Sequence, residues 1–288
     1  MKTTVKAYAK INLMLDILSR LENGYHDLYM IMQSVSLYDT VTVEVNSSKS
    51  IEIICDVPEI PTDERNIAHK AATAFFGFIG IENPGITITI EKRIPHAAGL
   101  AGGSADGAGV IVALNELFHT LLRERDLIKI GSKVGSDVPF CILGGTMLAQ
   151  YTGTVLSHLP ELSIKNIIIV KPQQNVSTAA AYSAFDTAER VRHLDKTGML
   201  TAVLKGDIAE VCGKVGNVFE QFIDVPDRVV IKSIMRKHGA VCACMSGSGP
   251  SVFGIFEDDT NAENCLEELK KQFPESYLCQ STQSGCEI

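Results

Sequence analysis

Long hydrophobic runs and low-complexity tracts are missing from this chain of 288 residues, and both absences narrow its class. A membrane-spanning helix needs about 20 mostly apolar residues in a row, and no such stretch occurs. Residues 1–10 alternate as a strand does and lack the apolar core of a signal peptide. We therefore expect a globular protein of the cytoplasm, with a length that favours two domains over one.

Several catalytic signatures are absent as well. The chain has no GxxxxGK[ST] phosphate loop, no GxGxxG dinucleotide fingerprint, and neither the HRD nor the DFG motif of protein kinases. A GxSxG nucleophile elbow is also missing, which disfavours an α/β-hydrolase. Any nucleotide chemistry must therefore use another arrangement of residues.

Positive charge is scarce, since 26 Lys and Arg residues stand against 34 Asp and Glu residues, for a formal net charge of −8. Nucleic acids and anionic membranes attract clustered Lys and Arg, so neither is expected as a partner. A small anion remains compatible with this charge, because a few local donors are enough to bind a phosphate group.

Paired cysteine motifs are lacking too. The eight cysteines are scattered and form no CxxC spacing, so we expect reduced thiols, no disulfide framework and no zinc site. Cys242 and Cys244 lie in an apolar segment and are interpreted as small buried hydrophobic residues.

What the chain does contain is a glycine-rich segment, residues 94–115, between a predicted strand at 86–92 and a predicted helix. Gly99, Gly102 and Gly103 leave backbone N–H groups accessible, and Ser104 is the expected N-cap of the helix. Such a bend at a helix N-terminus suits a phosphate group. On local grounds, a connection whose glycines only permit close packing explains the pattern equally well.

Three further features suggest phosphoryl transfer when combined with this bend. They are an isolated Lys10 in the first predicted strand, Asp137 in the turn GSDVPF, and a second glycine–serine loop at residues 246–250. Phosphoryl transfer needs donors around the phosphates, a metal ion and a group that orients the attacking hydroxyl. Taken singly, Lys10 is usually explained as a lysine solvated at the edge of a sheet. Asp137, taken singly, is explained equally well as a helix cap.

Apolar periodicity predicts an α+β fold in two domains, residues 1–157 and 158–288, with the boundary between 153 and 163. Strands are expected at 3–18, 28–37, 39–45, 51–54, 86–92, 146–151, 166–171, 240–245, 251–256 and 276–280. Helices are expected at 66–79, 124–134, 177–185, 226–238 and 261–273.

The segment PHAAGLAGGSA, residues 95–105, resembles the phosphate loop of the galactokinase, homoserine kinase, mevalonate kinase and phosphomevalonate kinase (GHMP) superfamily. More narrowly, AKINLMLDI at 9–17, GYHDL at 24–28, GSDVPF at 135–140 and MSGSGPSVFG at 245–254 resemble the 4-diphosphocytidyl-2-C-methyl-D-erythritol kinases in order and spacing. The resemblance implies a ribosomal protein S5 domain 2-like N-terminal domain that binds ATP, a ferredoxin-like C-terminal GHMP kinase domain, and an active site between them.

The same resemblance implies transfer of the γ-phosphate of ATP, with Mg2+, to the 2-hydroxyl of a cytidine diphosphate derivative of methylerythritol. This reaction belongs to the non-mevalonate route to isoprenoids. Alternatives are another small-molecule kinase of the superfamily, such as a homoserine or mevalonate kinase, and a non-catalytic ATP-binding sensor. We expect a monomer or weak homodimer.

The resemblance also assigns roles to individual residues. Asp137 would take or orient the hydroxyl proton, and Lys10 would stabilise negative charge on that oxygen. ATP would be bound by Pro95, Ala97, Ala98, Gly99, Leu100, Ala101, Gly102, Gly103 and Ser104. The second substrate would contact Asn12, Tyr25, His26, Thr178, Tyr182, Phe185, Gly247, Ser248 and Gly249, with Tyr25 and His26 recognising the cytosine and Tyr182 or Phe185 forming a second aromatic wall.

This chain departs from the superfamily pattern at one position. A second serine often follows the glycines, and Ala105 stands there instead. Any contact of a serine hydroxyl with the metal ion therefore falls to Ser104. His96, inside the same segment, has no assigned role.

Overall fold

Two long antiparallel strands, β1 (Lys2–Arg20) and β2 (His26–Val45), form the centre of the first sheet. The computed structural model describes residues 1–46 and 48–288. Apolar side chains of β1 such as Val5 and Ile11 are fully buried, as their alternation predicts. The register shifts between Tyr8 and Ala9 and again between Asn12 and Met14. These irregularities lie on either side of Lys10, and irregularities of this kind re-aim side chains near functional sites.

The rest of the first half places helices against this sheet. Its elements are β3 (Ile51–Cys55), α1 (Ile67–Ile79), β4 (Ile86–Glu91), α2 (Gly102–Leu117), α3 (Glu124–Ser132), α4 (Val138–Leu143), β5 (Thr146–Tyr151) and β6 (Val155–His158). Strands β1, β2, β4 and β3 are neighbours in that order, and β5 pairs with both β2 and β6. The side chain of Asn66 caps α1, and Gly80 ends it in the left-handed conformation. Helix α2 packs on α1 and β1.

The second half forms a separate antiparallel sheet with the order β11-β7-β10-β9. Its elements are β7 (Asn166–Val170), α5 (Thr178–Asp186), α6 (Lys196–Lys205), α7 (Ile208–Cys212), β8 (Gly216–Asn217), a 3₁₀ turn (Val218–Gln221), α8 (Pro226–Lys237), β9 (Cys242–Met245), β10 (Val252–Phe256), α9 (Asp259–Lys270), β11 (Ser276–Cys279) and β12 (Cys286–Glu287). Helices α8 and α9 cover this sheet and share a core with it that includes Ile168, Met235 and Leu269.

Two short strands of the second half return to the first sheet. Both β8 and β12 pair with β1, in parallel and antiparallel orientation respectively. Residues 187–225, for which no element was predicted, contain α6, α7 and β8. Helix α7 and strand β8 are short, and α6 has little amphipathic character, so none of them shows a clear period in the sequence. The domain boundary near residue 157 stays a prediction.

Most predicted elements are present, with ends that differ by one to three residues. The segments 28–37 and 39–45 belong to one continuous strand, because Tyr38 and Asp39 pair with Tyr8 and Ala7 of β1 and the strand continues across the register shift there. The expectation that Lys10 is solvated at a sheet edge is wrong: β1 is covered on both sides, and Lys10 is only 4% exposed. Within the described residues, no helix has the length and apolar character needed to span a bilayer.

Candidate active site

The glycine-rich bend between β4 and α2 contains a row of backbone amides, along which Ala97 and Gly103 are exposed while Ala98 and Leu100 are buried. Ala97, Gly99 and Ala101 all have positive φ angles, of 50°, 74° and 59°. Alternation of left-handed and ordinary conformations turns successive N–H groups toward one side, which makes an anion-binding concavity. Non-glycine residues rarely adopt this conformation, and when they do they are often at functional sites.

Helix α2 begins earlier than predicted. Ala101 occupies the N-cap position and Gly102 is the first helical residue, so Ser104 is the third residue of α2 and not its N-cap. The left-handed φ of Ala101 turns the chain before the two glycines, which then enter the helix. Consequently Asp106 is the fifth helical residue and lies beyond the first turn. The N–H groups of Gly102, Gly103 and Ser104 are therefore the free donors of the helix N-terminus.

The second glycine loop, residues 246–250, lies directly against the bend. The Ser246 hydroxyl donates to the Gly99 carbonyl over 3.0 Å, and the Ser251 N–H donates to the Ala98 carbonyl over 3.3 Å. A side chain on Gly247 would come within 2.8 Å of the Gly99 carbonyl oxygen. Glycine at this position thus allows the two loops, about 150 residues apart in sequence, to form one continuous surface.

Strand β1 connects both loops to Lys10. The backbone N–H of Lys10 donates to the Leu100 carbonyl over 3.1 Å. Its ammonium donates to Asn12 Oδ1 over 2.7 Å, and the same oxygen accepts the Gly247 N–H over 3.0 Å. Asn12 therefore holds the lysine side chain and the second loop together.

Asp137 faces the same region from the start of α4. It occupies the N-cap position, but its side chain makes no capping hydrogen bond to the described backbone. The interpretation of Asp137 as a mere side-chain cap is therefore wrong, and its carboxylate is free to act elsewhere. Burial lowers the pKa of Lys10, and the negative charge of Asp137 opposes this shift. The two groups are thus close enough to interact across the site.

An aromatic cluster borders this site. The ring of His26 stacks on Tyr182 with centroids 4.6 Å apart, and Phe185 meets it edge-on at 5.9 Å. His26 Nε2 donates to Asp186 Oδ1 over 2.7 Å. Burial raises the pKa of Tyr182 to about 12, and the charge of Asp137 adds to the shift. His26 is thus held in place from the side of α5, while the neighbouring Tyr25 is 66% exposed.

Helix α5 also contacts the second loop. The hydroxyl groups of Thr178 and Ser248 are hydrogen-bonded over 2.9 Å. Contacts therefore link the predicted substrate residues of β1, the start of β2, α5 and the loop at 246–250, whereas the exposed Tyr25 stands beside them.

The residues present fit a triphosphate better than a metal ion alone. The bend offers outward-facing amides at a helix N-terminus, and Gly103 there is exposed. No group of three or more His, Cys, Asp or Glu side chains suited to a metal ion occurs in the ranges 1–46 and 48–288. Mg2+ commonly keeps several waters and binds through substrate phosphates with one or two protein ligands, so this composition is compatible with it.

Comparison with known proteins agrees with this geometry. Residues 66–145 match the family described as GHMP kinases N terminal domain, and residues 199–275 match GHMP kinases C terminal. A 4-diphosphocytidyl-2-C-methyl-D-erythritol kinase of Clostridium botulinum (strain Eklund 17B / Type B) is 40% identical over 276 residues, which cover 95% of this chain and 98% of that protein. One of Lachnoclostridium phytofermentans is 42% identical over 269 residues, which cover 93% of this chain and 92% of that protein.

The chain belongs to the GHMP kinase family.

Solved structures of the family have the same fold. A crystal structure of 4-(cytidine 5'-diphospho)-2C-methyl-D-erythritol kinase is similar with a TM-score of 0.80 and 30% identity, covering 98% of this chain and 99% of that chain. Homoserine kinase from Cytophaga hutchinsonii also gives a TM-score of 0.80, at 21% identity and with 99% and 96% covered. The second likeness concerns the fold alone. The predicted two-domain α+β GHMP kinase fold is confirmed.

Sequence reasoning missed several residues that shape this GHMP kinase site. Asn217 donates through Nδ2 to the carbonyls of Met245 and Gly247, both over 2.8 Å, and so holds the start of the second loop. Asp186, one residue beyond the predicted helix at 177–185, binds His26. Both are isolated polar residues in weakly periodic segments, and their importance comes from distant parts of the chain. The roles assigned to the individual site residues stay predictions.

Proposed function

We propose that this chain phosphorylates the 2-hydroxyl of 4-diphosphocytidyl-2-C-methyl-D-erythritol with ATP, giving the 2-phosphate and ADP. It is accordingly a 4-diphosphocytidyl-2-C-methyl-D-erythritol kinase of the methylerythritol phosphate route to isoprenoids. Relatives of that name share about 40% identity with it over nearly their full length. The observation that carries the proposal is the buried Lys10, which contacts the glycine bend through its backbone and faces Asp137.

In this proposal Asp137 orients the acceptor hydroxyl. A carboxylate is too weak a base to ionise an alcohol beforehand, but in a loose transition state the proton leaves late. Correct placement of the attacking oxygen then matters more than basicity. Lys10 stabilises the negative charge that develops near that oxygen, in a place where burial strengthens the interaction.

ATP would lie with its phosphates against the bend, from Pro95 to Ser104. A single helix N-terminus contributes only about 0.3–2 kcal/mol to the binding of an anion, so several amides must act together. Mg2+ would neutralise phosphate charge, and the Ser104 hydroxyl is the side-chain group on the bend that is suited to contact it.

The cytidine part of the acceptor would lie near the aromatic cluster. Tyr25 and His26 would contact the cytosine, with Tyr182 or Phe185, which lie directly against the His26 ring, supplying a second aromatic wall. His26 Nε2 donates to Asp186, so in a neutral imidazole Nδ1 is left as an acceptor. Asn12, Thr178 and the loop Gly247, Ser248 and Gly249 would contact the remainder of the substrate. A cytoplasmic location and a monomer or weak homodimer belong to the same proposal.

The test offers the purified chain ATP with Mg2+ and one acceptor at a time, namely 4-diphosphocytidyl-2-C-methyl-D-erythritol, homoserine or mevalonate, and follows ADP release. We expect turnover with the cytidylated acceptor alone. Turnover with homoserine or mevalonate instead would support the runner-up, another GHMP kinase. ATP binding without any turnover would support a silent sensor, against which the presence of both Lys10 and Asp137 speaks.

A further inference from the structure

Beneath the phosphate bend lies a buried cluster of three charged side chains that the proposed reaction does not use. Lys92 follows β4, Asp106 lies in α2 and Asp39 lies in β2. The Lys92 ammonium donates to Asp106 Oδ2 over 2.7 Å and also to Asp39 Oδ2. The side chain of Lys92 is 5% exposed, and those of Asp39 and Asp106 are 0% and 5% exposed.

This cluster connects the two ends of the bend. Lys92 and Asp106 are 14 residues apart, and the whole amide row lies between them. Asp39 Oδ1 accepts the backbone N–H of Arg93 over 2.6 Å and that of Ile94 over 2.8 Å, which determines the direction in which the chain enters the bend. A side chain on Gly102 would approach Lys92 Nζ to 3.4 Å, so the ammonium lies close to the first turn of α2.

The charges of the cluster are unbalanced. Two carboxylates share one ammonium, and Asp106 Oδ1 is buried without a hydrogen-bond partner anywhere in the described chain. A fully ionised cluster would therefore leave one excess negative charge beneath a surface suited to a triphosphate. Burial raises the pKa of Asp106, with Lys92 opposing the shift and Asp39 adding to it, so the hydrogen bond from Lys92 is the contact that compensates this carboxylate.

We propose that Asp106 is a positioning residue for ATP, which through Lys92 holds the phosphate bend in its anion-binding conformation. Asp106 does not touch the nucleotide in this proposal. It connects the N-terminus of α2 to the segment that follows β4, so that backbone amides from both ends of the bend point toward one phosphate chain. This inference rests on the proposed ATP site but not on the identity of the acceptor alcohol.

The experiment measures the dissociation constant of Mg-ATP by calorimetry at pH 7.5, without acceptor, and the free energy of unfolding of each variant by urea titration. Asp106→Asn keeps a side-chain oxygen that accepts from Lys92, so its dissociation constant should stay near that of the wild type.

A second variant, Asp106→Ala, removes the connection to Lys92, and we expect its dissociation constant for Mg-ATP to rise by roughly 2- to 30-fold, the range that an anion gains at a helix N-terminus. Asn166→Ala is the matched control, since it removes a side-chain hydrogen bond from β7 to Asp259 of α9 and should lower stability without changing ATP affinity. The proposal is overturned if Asp106→Ala lowers stability yet binds ATP normally, or if Asp106→Asn binds ATP as weakly as Asp106→Ala. If Asp106→Ala does not fold, weaker ATP binding by the folded Asp106→Asn overturns the proposal.

The two proposals fail in different ways. ATP binding that Asp106→Ala weakens as expected, but no turnover of the cytidylated acceptor by the wild type, would remove the proposed function and leave the role of Asp106 intact. Wild-type protein that binds no ATP at all would overturn both.

Discussion

At the residue scale, Lys10 shows how a buried side chain can retain its positive charge. Its side chain has lost nearly all solvent, which favours the neutral form, but Asp137 and the Asn12 oxygen favour the ammonium. Because the carboxylate that compensates Lys10 is also the proposed orienting group, each residue depends on the other.

Replacing Asp137 tests this arrangement. We expect Asp137→Ala to lower kcat by roughly 10²- to 10⁴-fold, the range typical of lost general acid–base or orienting groups, while ATP affinity changes little because the bend is intact. Asp137→Asn, which keeps the shape, should lose most of the activity too. Steady-state kinetics and calorimetry with ATP measure both quantities.

The matched control is Asp126→Asn on α3, where a partly exposed carboxylate pairs only with Arg125 and Lys129 among the described residues. Exposed pairs of this kind contribute little, so kcat should stay at the wild-type value. Normal turnover by Asp137→Ala would show that the hydroxyl is oriented by another group.

At the scale of elements, the contact between the bend and the second glycine loop organises the site. Gly99 has a φ of 74°, and a side chain there would overlap the carbonyl of Ser246. This position therefore needs glycine both for its backbone conformation and for the close approach of the two loops.

We expect Gly99→Ala to weaken ATP binding and to lower the free energy of unfolding by about 1–3 kcal/mol. Gly77→Ala is the control: Gly77 lies inside α1, and no described atom is within 4 Å of a side chain placed there. Alanine has the higher helix propensity, so this variant should be more stable by about 0.5–1 kcal/mol. Urea unfolding and ATP titration measure the two effects, and wild-type ATP affinity in Gly99→Ala would contradict the described contact.

At the scale of the whole molecule, distant segments complete the N-terminal half. The segment before β12 lies against the end of α4, where a side chain on Gly285 would overlap the Cys141 carbonyl and approach the Gly144 N–H to 2.9 Å. Since Asp137 stands at the start of α4, these last residues of the second half help to place it.

Accordingly, Gly285→Ala should lower the thermal midpoint by roughly 2–10 °C and reduce kcat at 25 °C, because α4 must shift to make room. Gly213→Ala serves as the comparison, since the nearest atoms to its side chain would be at an ordinary 3.4 Å and its φ is not left-handed. Its midpoint should stay within about 2 °C of wild type. Calorimetric scans that show equal midpoints for the two variants would contradict this packing.

The sequence by itself determined the helices and strands whose apolar period extends over many residues. It also determined the short motifs that depend only on neighbouring residues. The apolar alternation of β1, the caps of α1 and the glycine bend all depend on neighbours within a few residues, so they could be predicted. The family resemblance likewise depends on short motifs, and it placed Lys10, Asp137 and both loops in one site.

Only the tertiary structure decided which polar residues support that site. Lys10 is buried where the glycine bend and the second loop lie against β1, between the parts of β1 that pair with β12 and β8. Asn217 and Asp186 act on residues in other elements, and Lys92 joins Asp39 to Asp106. Such contacts leave no period in the sequence, because each is a single pairing created when separate elements pack together.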